Sequence, residues 1–290
     1  LFNHGSFSAK ILSMDFFDIL KLLLILACGP GLMFLLGLLQ KRTKRHLSWS
    51  QKTILNAIGS VVLALPIIYL GLPFGIVSIE NLGVNRFVWW WLPASLGFAV
   101  VLILLNAGIA LGYQKLFRID ESKLVSFERA NYFNKMSKSK KNMTLTVIFG
   151  GIIAPLCEEL YFRGLLLSFF LMFFNPWIGI AATSIVFGLA HFDSVGVIVT
   201  GIIDGVALSL VFIFTGSLWV PVLVHIFNNS IGLVAFAIEN AKVKDESRND
   251  VNTFGQSVSN DCDTDIIADE ERQACNEEEI QIRPDQDTAC

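Results

Sequence analysis

Three short stretches of this chain hold residue types that could do chemistry: EELYFR (158–163), FGLAH (187–191) and HIFNN (225–229). On a helix, residues four apart lie one above the other, so Arg163 falls beside Glu159 and neutralises it. Glu158 is turned about 100° away and has no partner in its own helix. A carboxylate left so in a poorly solvated cavity suits general-base work near neutrality. Taken alone, the three charges are equally well explained as a structural ion cluster or as side chains snorkelling to an interface. The other two stretches change that balance. Phe187 and His191 share a helix face, as do His225 and Asn229, with Asn228 a poorer alternative to Asn229. The remaining histidines, His4 and His46, stand outside the apolar runs. A lone membrane histidine more often bonds helix to helix, but an acid, two imidazoles and a carboxamide on successive parts of one bundle make a set. Glu158 and an imidazole could deprotonate a water for attack on an amide carbonyl, while a second imidazole and a carboxamide N–H donate to the oxyanion. Alternatively Glu158, His191 and His225 could hold Zn²⁺ with an open position for water. The spacing is not that of the single-helix HExxH proteases, so any metal site must be assembled across helices.

The elements that must position these groups are membrane helices. Of 290 residues 53% are hydrophobic and 16% charged, which excludes an ordinary soluble enzyme and fits an all-α, polytopic transmembrane bundle. Nothing in this balance points to nucleic acid. Apolar runs long enough for about 30 Å of hydrocarbon fall at 19–39, 54–74, 88–111, 143–174, 177–192, 197–214 and 218–238. Seven spans are expected, or eight if 143–174 folds into a hairpin. As one helix its 32 residues would reach roughly 48 Å, and Gly150, Gly151 and Pro155 predict a bend just before the charges.

Lysine and arginine set the orientation. KRTKR (41–45) and the eight bases of 113–142 both fit a cytoplasmic side, against one base in 75–87. The N-terminus is then outside and the C-terminal side cytoplasmic, in a multi-pass protein of the plasma (inner) membrane if the source is bacterial. Basic loop 113–142 would also favour anionic lipid headgroups. Residues 245–290 hold 14 acidic residues against 3 arginines, leaving 11 acids and 19 bases in the body. That tail is too polar to bury a core and is expected to be disordered. Three regions follow: 1–142 with the first helices and basic loop, 143–240 with the candidate chemistry, and the acidic 241–290. The five cysteines form neither CxxC pairs nor a framework; ILACG (25–29) hints at a lipoprotein cleavage site, but the apolar run continues past Cys28. Cys290, the last residue, is not placed as a prenylation signal. Asp204, at membrane depth but in none of the three stretches, is flanked by Gly201 and Gly205. A close helix contact is expected there, with the carboxylate bonded to backbone or hydroxyl groups.

The three stretches match, in order, the EExxxR, FxxxH and HxxxN motifs of the CPBP intramembrane proteases. That family joins type II CAAX prenyl endopeptidases with bacteriocin-processing and Abi proteins. The flanks FRG (162–164) and TGSLWVPVLVH (215–225) add to the resemblance, which covers roughly residues 143–235. It implies an intramembrane endopeptidase in which Glu158 activates water with His191, His225 and Asn229 bind the oxyanion, Glu159 and Arg163 form a supporting pair, and Phe187 walls the cavity. Phe187 is as readily ordinary bundle packing. The resemblance leaves open whether Zn²⁺ is held or catalysis is metal-independent. It also leaves open whether the peptide or protein substrate is prenylated or carries a leader. Two other functions fit a membrane bundle with buried Glu and His: a proton- or ion-coupled transporter, and a non-catalytic immunity protein. The first would show repeated broken helices in both halves, and no such repeat is seen; the second has no support in motifs that remain complete.

Overall fold

A computed structural model describes residues 15–31, 35, 38, 47–118, 134–136, 139–191 and 194–238. The basic cluster 41–45, most of the basic loop 113–142, the later part of the expected 19–39 span and the acidic tail lie outside the described residues.

Most of the described helices begin where a short polar side chain can take over an orphan backbone N–H, whereas the helix that starts at Trp91 has Trp90 at that position and no side-chain cap. Helix α1 (Phe16–Leu26) starts at Asp15, whose side chain accepts from Asp18 N at 2.9 Å. Ser48 caps α2 (Trp49–Pro66) in a reciprocal box with Gln51, and a π-helical turn carries it on to Gly71. A short α3 (Ile79–Leu82) follows, capped by Ser78. The long apolar α4 (Trp91–Phe117) ends at Arg118, in the left-handed region at φ 49. Helix α5 (Lys140–Phe173) is capped by Ser139. Asn175 caps α6 (Pro176–Ala190), whose proline stands in the first turn where no N–H is needed. Ser194 caps α7 (Val195–Thr215), which ends at Gly216 with φ 60. The last described helix is α8 (Trp219–Ile238).

Five of these, the extended α2, α4, α5, α7 and α8, are long and apolar enough to cross a membrane. The bundle is all-helical and polytopic, as composition predicts. Many of the side chains that α4 leaves exposed are apolar, among them Val101, Leu104 and Leu111. In lipid that costs nothing, because the solvent is as apolar as the side chains.

Helix α5 does not fold into a hairpin. Its 34 residues run on as one helix, with wide π-helical turns at Val147–Ile153 and Leu160–Leu167 on either side of Pro155 and the acidic pair. Widening the turn ahead of Pro155 makes room for its ring and for the missing donor without breaking the helix. The turns fall where the side chains of the EELYFR stretch must be aimed.

Helix α6 is the short one. Its 15 residues reach about 22 Å, less than the hydrocarbon thickness, so the span expected at 177–192 is a shorter apolar helix among the described residues. Helices α6 and α7 lie in close contact because the facing positions are small. A Cβ on Gly201 would stand 3.1 Å from Gly188 Cα, and one on Gly205 would stand 2.9 Å from Ser184 Cα. Without water to drive helices together, such close backbone approach is how membrane helices gain packing energy. The core draws Tyr161, Phe162, Leu165, Leu166, Leu167, Phe169 and Phe170 of α5 together with Phe187, Phe212 and Val222. It also takes in Ile25 of α1 and Leu63, Ile67, Ile76, Val77 and Leu82 from α2 to α3.

Candidate active site

Arg163 and Glu159 are fully buried, and the guanidinium Nη1 donates to Glu159 Oε1 at 2.7 Å. The pairing expected from i,i+4 spacing is present. Nη2 donates to the carbonyl of Gly205 at 3.2 Å, which ties α5 to α7. The guanidinium also stands over the Phe187 ring, 4.6 Å from its centroid. Such a cation is tolerable in the interior because a carboxylate, a carbonyl and an aromatic face replace its water.

The sequence did not reveal that Glu159 Oε1 has a second donor. His225 Nδ1 lies 2.7 Å from it, so this carboxylate holds the imidazole as well as the guanidinium. A carboxylate at this position can only accept, which puts the proton on Nδ1 and leaves Nε2 to face the other way. His191 is oriented by the same logic: its Nδ1 lies 2.8 Å from the carbonyl of Phe187, one turn earlier on α6. Both Nε2 atoms then point at one carboxylate oxygen, Glu158 Oε2, at 3.6 Å from His191 and 3.7 Å from His225. Glu158 Oε2 is itself buried and has no hydrogen-bond partner among the described residues. Three acceptors from α5, α6 and α8 thus face one another across a gap that a bridging proton or water would fill.

Phe187 does more than line a wall. Its ring packs against His191 (4.6 Å between centroids), His225 (5.8 Å) and Phe162 (4.8 Å), so it spaces the two imidazoles while capping Arg163. Asn229 lines the same cavity as both histidines, and its Nδ2 donates to the carbonyl of Gly150 at 3.3 Å. That carbonyl lies in the first wide turn of α5. Asn228 also lines the cavity.

The cavity has a volume of about 500 Å³. It runs from the histidine pair past Thr146, Gly150, Thr200 and Gly232 to Leu233 and Phe236, between the early turns of α5 and α7 and the late turns of α8. Asp204 lines it too. The expected close contact is made by Gly201 and Gly205, but Asp204 bonds to neither backbone nor hydroxyl: Asn106 of α4 donates Nδ2 to its Oδ1 at 2.7 Å. Asn106 was not picked out in the sequence, although it is the one carboxamide in the apolar run 88–111. A polar side chain in such a run signals a partner across the bundle. Glu158, His191 and His225 are also the donors a Zn²⁺ ion would use. Among the described residues, however, no group of three His, Cys, Asp or Glu side chains is arranged as a metal site.

This geometry lies within a segment that matches a known family. Residues 140–231 match the family described as Type II CAAX prenyl endopeptidase Rce1-like. That segment resembles the Rce1-like family. It contains the full EELYFR, FGLAH and HIFNN stretches, and α4 with Asn106 lies outside it. An Escherichia coli protein described as an uncharacterized 24.3 kDa protein is 33% identical over 101 residues, 33% of this chain and 46% of that protein. The chain therefore spans about half the length of the curated relative it matches. No solved structure shows a significant match.

Proposed function

We propose that the chain is an intramembrane endopeptidase that hydrolyses a peptide bond with water activated by Glu158. The observation that carries this reading is the convergence of Glu158 Oε2 with the Nε2 atoms of His191 and His225, at 3.6 and 3.7 Å, beside a cavity of about 500 Å³. The match of residues 140–231 to the Rce1-like family supports it.

A water held between these acceptors loses a proton to Glu158, with His191 accepting its second hydrogen bond. The water oxygen forms a bond to the carbonyl carbon, and the C=O π pair moves to oxygen as an oxyanion. Donors to that oxyanion come from His225 and Asn229. Because Nδ1 of His225 already carries the proton shared with Glu159, Nε2 donates to the oxyanion only with a second proton, taken up from solvent before the attack and returned to it after collapse. The Glu159 carboxylate holds Nδ1 and so fixes the direction of Nε2, as the aspartate does in a serine-protease triad. The oxyanion then collapses, the C–N bond breaks, and the proton held by Glu158 passes to the leaving nitrogen. The cavity is lined by Thr146 and Gly150 from the early turns of α5, the helix that starts with Lys140 and Lys141 on the side expected to be cytoplasmic. Substrates to try are a prenylated C-terminal peptide and a leader peptide.

The test is cleavage in proteoliposomes. Glu158→Ala and His191→Ala are each expected to lower the rate by about 10²- to 10⁴-fold, the range for loss of a positioned acid or base. Wild-type rates in both variants would reject the reading. Metal analysis of the purified protein is expected to show less than one equivalent of zinc, and a full equivalent lost together with activity in Glu158→Ala would instead assign the three side chains as ligands.

A further inference from the structure

The cavity has a second polar wall that hydrolysis does not use. Asp204 of α7 and Asn106 of α4 both line it, on helices other than those that supply Glu158, His191 and His225. Asn106 lies outside the segment matched to the family.

Asp204 accepts one hydrogen bond, from Asn106 Nδ2 at 2.7 Å. The other end of that amide, Oδ1 of Asn106, is buried and without a partner among the described residues. The pair therefore places on the cavity wall a carboxylate with one oxygen unused, beside a buried carbonyl oxygen lacking a donor. Both are acceptors, and the Asn106 oxygen lacks the hydrogen bond that buried polar groups ordinarily have. Among the described residues no lysine or arginine lines the cavity, and the guanidinium buried among them, that of Arg163, is already committed to Glu159 and Gly205. A carboxylate at membrane depth with no cation of its own is costly, and costs of this kind mark substrate and ion paths. An inter-helix tie alone would not need the charge, because a carboxamide at position 204 would accept from Asn106 equally well.

From these observations we infer that the Asp204–Asn106 pair is a subsite for a cationic side chain of the substrate, a lysine or arginine near the bond to be cut. The ammonium or guanidinium supplies the N–H donors that both oxygens lack and the positive charge that Asp204 lacks. This inference names the substrate class of the site proposed above and rests on that reading for its link to cleavage, but the subsite itself is a binding property.

Binding can be measured without turnover, in the full chain carrying Glu158→Gln and held in lipid nanodiscs. The probes are fluorescent apolar dodecapeptides in pairs, one with lysine and one with norleucine at a single position, the position moved along the peptide. At one or two neighbouring positions the lysine peptide is expected to bind about 10-fold more tightly than its norleucine twin. Adding Asp204→Asn, which keeps an acceptor for Asn106 and so the tie between α4 and α7, is expected to bring that ratio to about one. Asp204→Glu keeps the charge and is expected to retain most of the preference, which separates loss of charge from loss of fold. A ratio near one at every position before position 204 is changed, an undiminished ratio in Asp204→Asn, or equal loss of the ratio in Asn and Glu variants would each overturn the subsite. Wild-type cleavage that persists in Glu158→Ala would overturn the hydrolytic reading and leave this ratio untouched, so the two failures are distinguishable.

Discussion

At the scale of single residues, Glu159 Oε1 decides how much of the site works. It receives Arg163 at 2.7 Å and His225 at 2.7 Å, so one buried oxygen fixes both a cation and a tautomer. Removing only one partner of a buried ion pair leaves the other charge uncompensated, a loss of about 3–5 kcal/mol. Glu159→Gln is therefore expected to lower the melting temperature in detergent and to reduce cleavage about 10- to 100-fold, the usual effect of losing a group that orients an imidazole. The double variant Glu159→Gln/Arg163→Met separates these effects. With both charges gone, stability is expected to recover toward wild type, while cleavage stays low because His225 has lost the carboxylate beside Nδ1. Recovery of both together would show that Glu159 serves the fold alone.

Among the elements, α6 is the most exacting. It stops at Ala190, and the two residues on which the site depends, Phe187 and His191, flank Gly188. A Cβ on Gly188 would stand 2.7 Å from the carbonyl oxygen of Ile198 and 2.9 Å from the backbone nitrogen of Ile202. Those atoms belong to the backbone of α7 and cannot rotate aside. Gly188→Ala is thus expected to cost about 1–3 kcal/mol, as overpacking does, and to reduce cleavage further by moving His191 off Glu158. Gly108 of α4 is the matched control: a Cβ there meets nothing within 4 Å. Gly108→Ala should leave cleavage at the wild-type rate and the melting temperature the same or slightly higher, since alanine is the better helix former. Parallel thermal melts and proteoliposome assays of the two variants check this.

For the molecule as a whole, the residues matched to the family do not make its core alone. Ile25, Leu63, Ile67, Ile76, Val77 and Leu82 share one cluster with the aromatic and leucine side chains of α5. Tyr161 donates its hydroxyl to the carbonyl of Ile25 at 2.8 Å. A clasp joins the ends of α3 and α8, where Leu218 N donates to Leu82 O at 2.8 Å, Ser217 Oγ to Gly83 O at 3.1 Å and Trp219 Nε1 to Val84 O at 2.7 Å. Gly83 is at φ +61, and a Cβ there would stand 2.9 Å from Ser217 Cα, so a larger residue is both strained and obstructed. A fragment starting at residue 139 would leave Tyr161, Phe162 and Leu165 facing lipid or nothing. It is expected to be cut by trypsin and inactive where the full chain resists, and co-expression with residues 1–138 is expected to restore resistance. A protease-resistant fragment that cleaves on its own would refute this.

The amino-acid sequence by itself determined that the chain is a membrane helical bundle, where most of its spans run and which side chains could do hydrolysis. These are properties of composition and of 3.6-residue periodicity, and they need no knowledge of how helices pack. Pairing within one helix was equally legible, as Arg163 with Glu159 shows. Contacts between helices were not. The bond from His225 to Glu159, that from the Asn229 amide to Gly150, the convergence of two Nε2 atoms on Glu158 and the tie from Asn106 to Asp204 join residues 66, 79, 33 to 67 and 98 positions apart. Helix register sets each side chain's direction only about its own axis. Which directions meet depends on the wide turns in α5, the short reach of α6 and the small residues between α6 and α7, and those only the packed bundle decides.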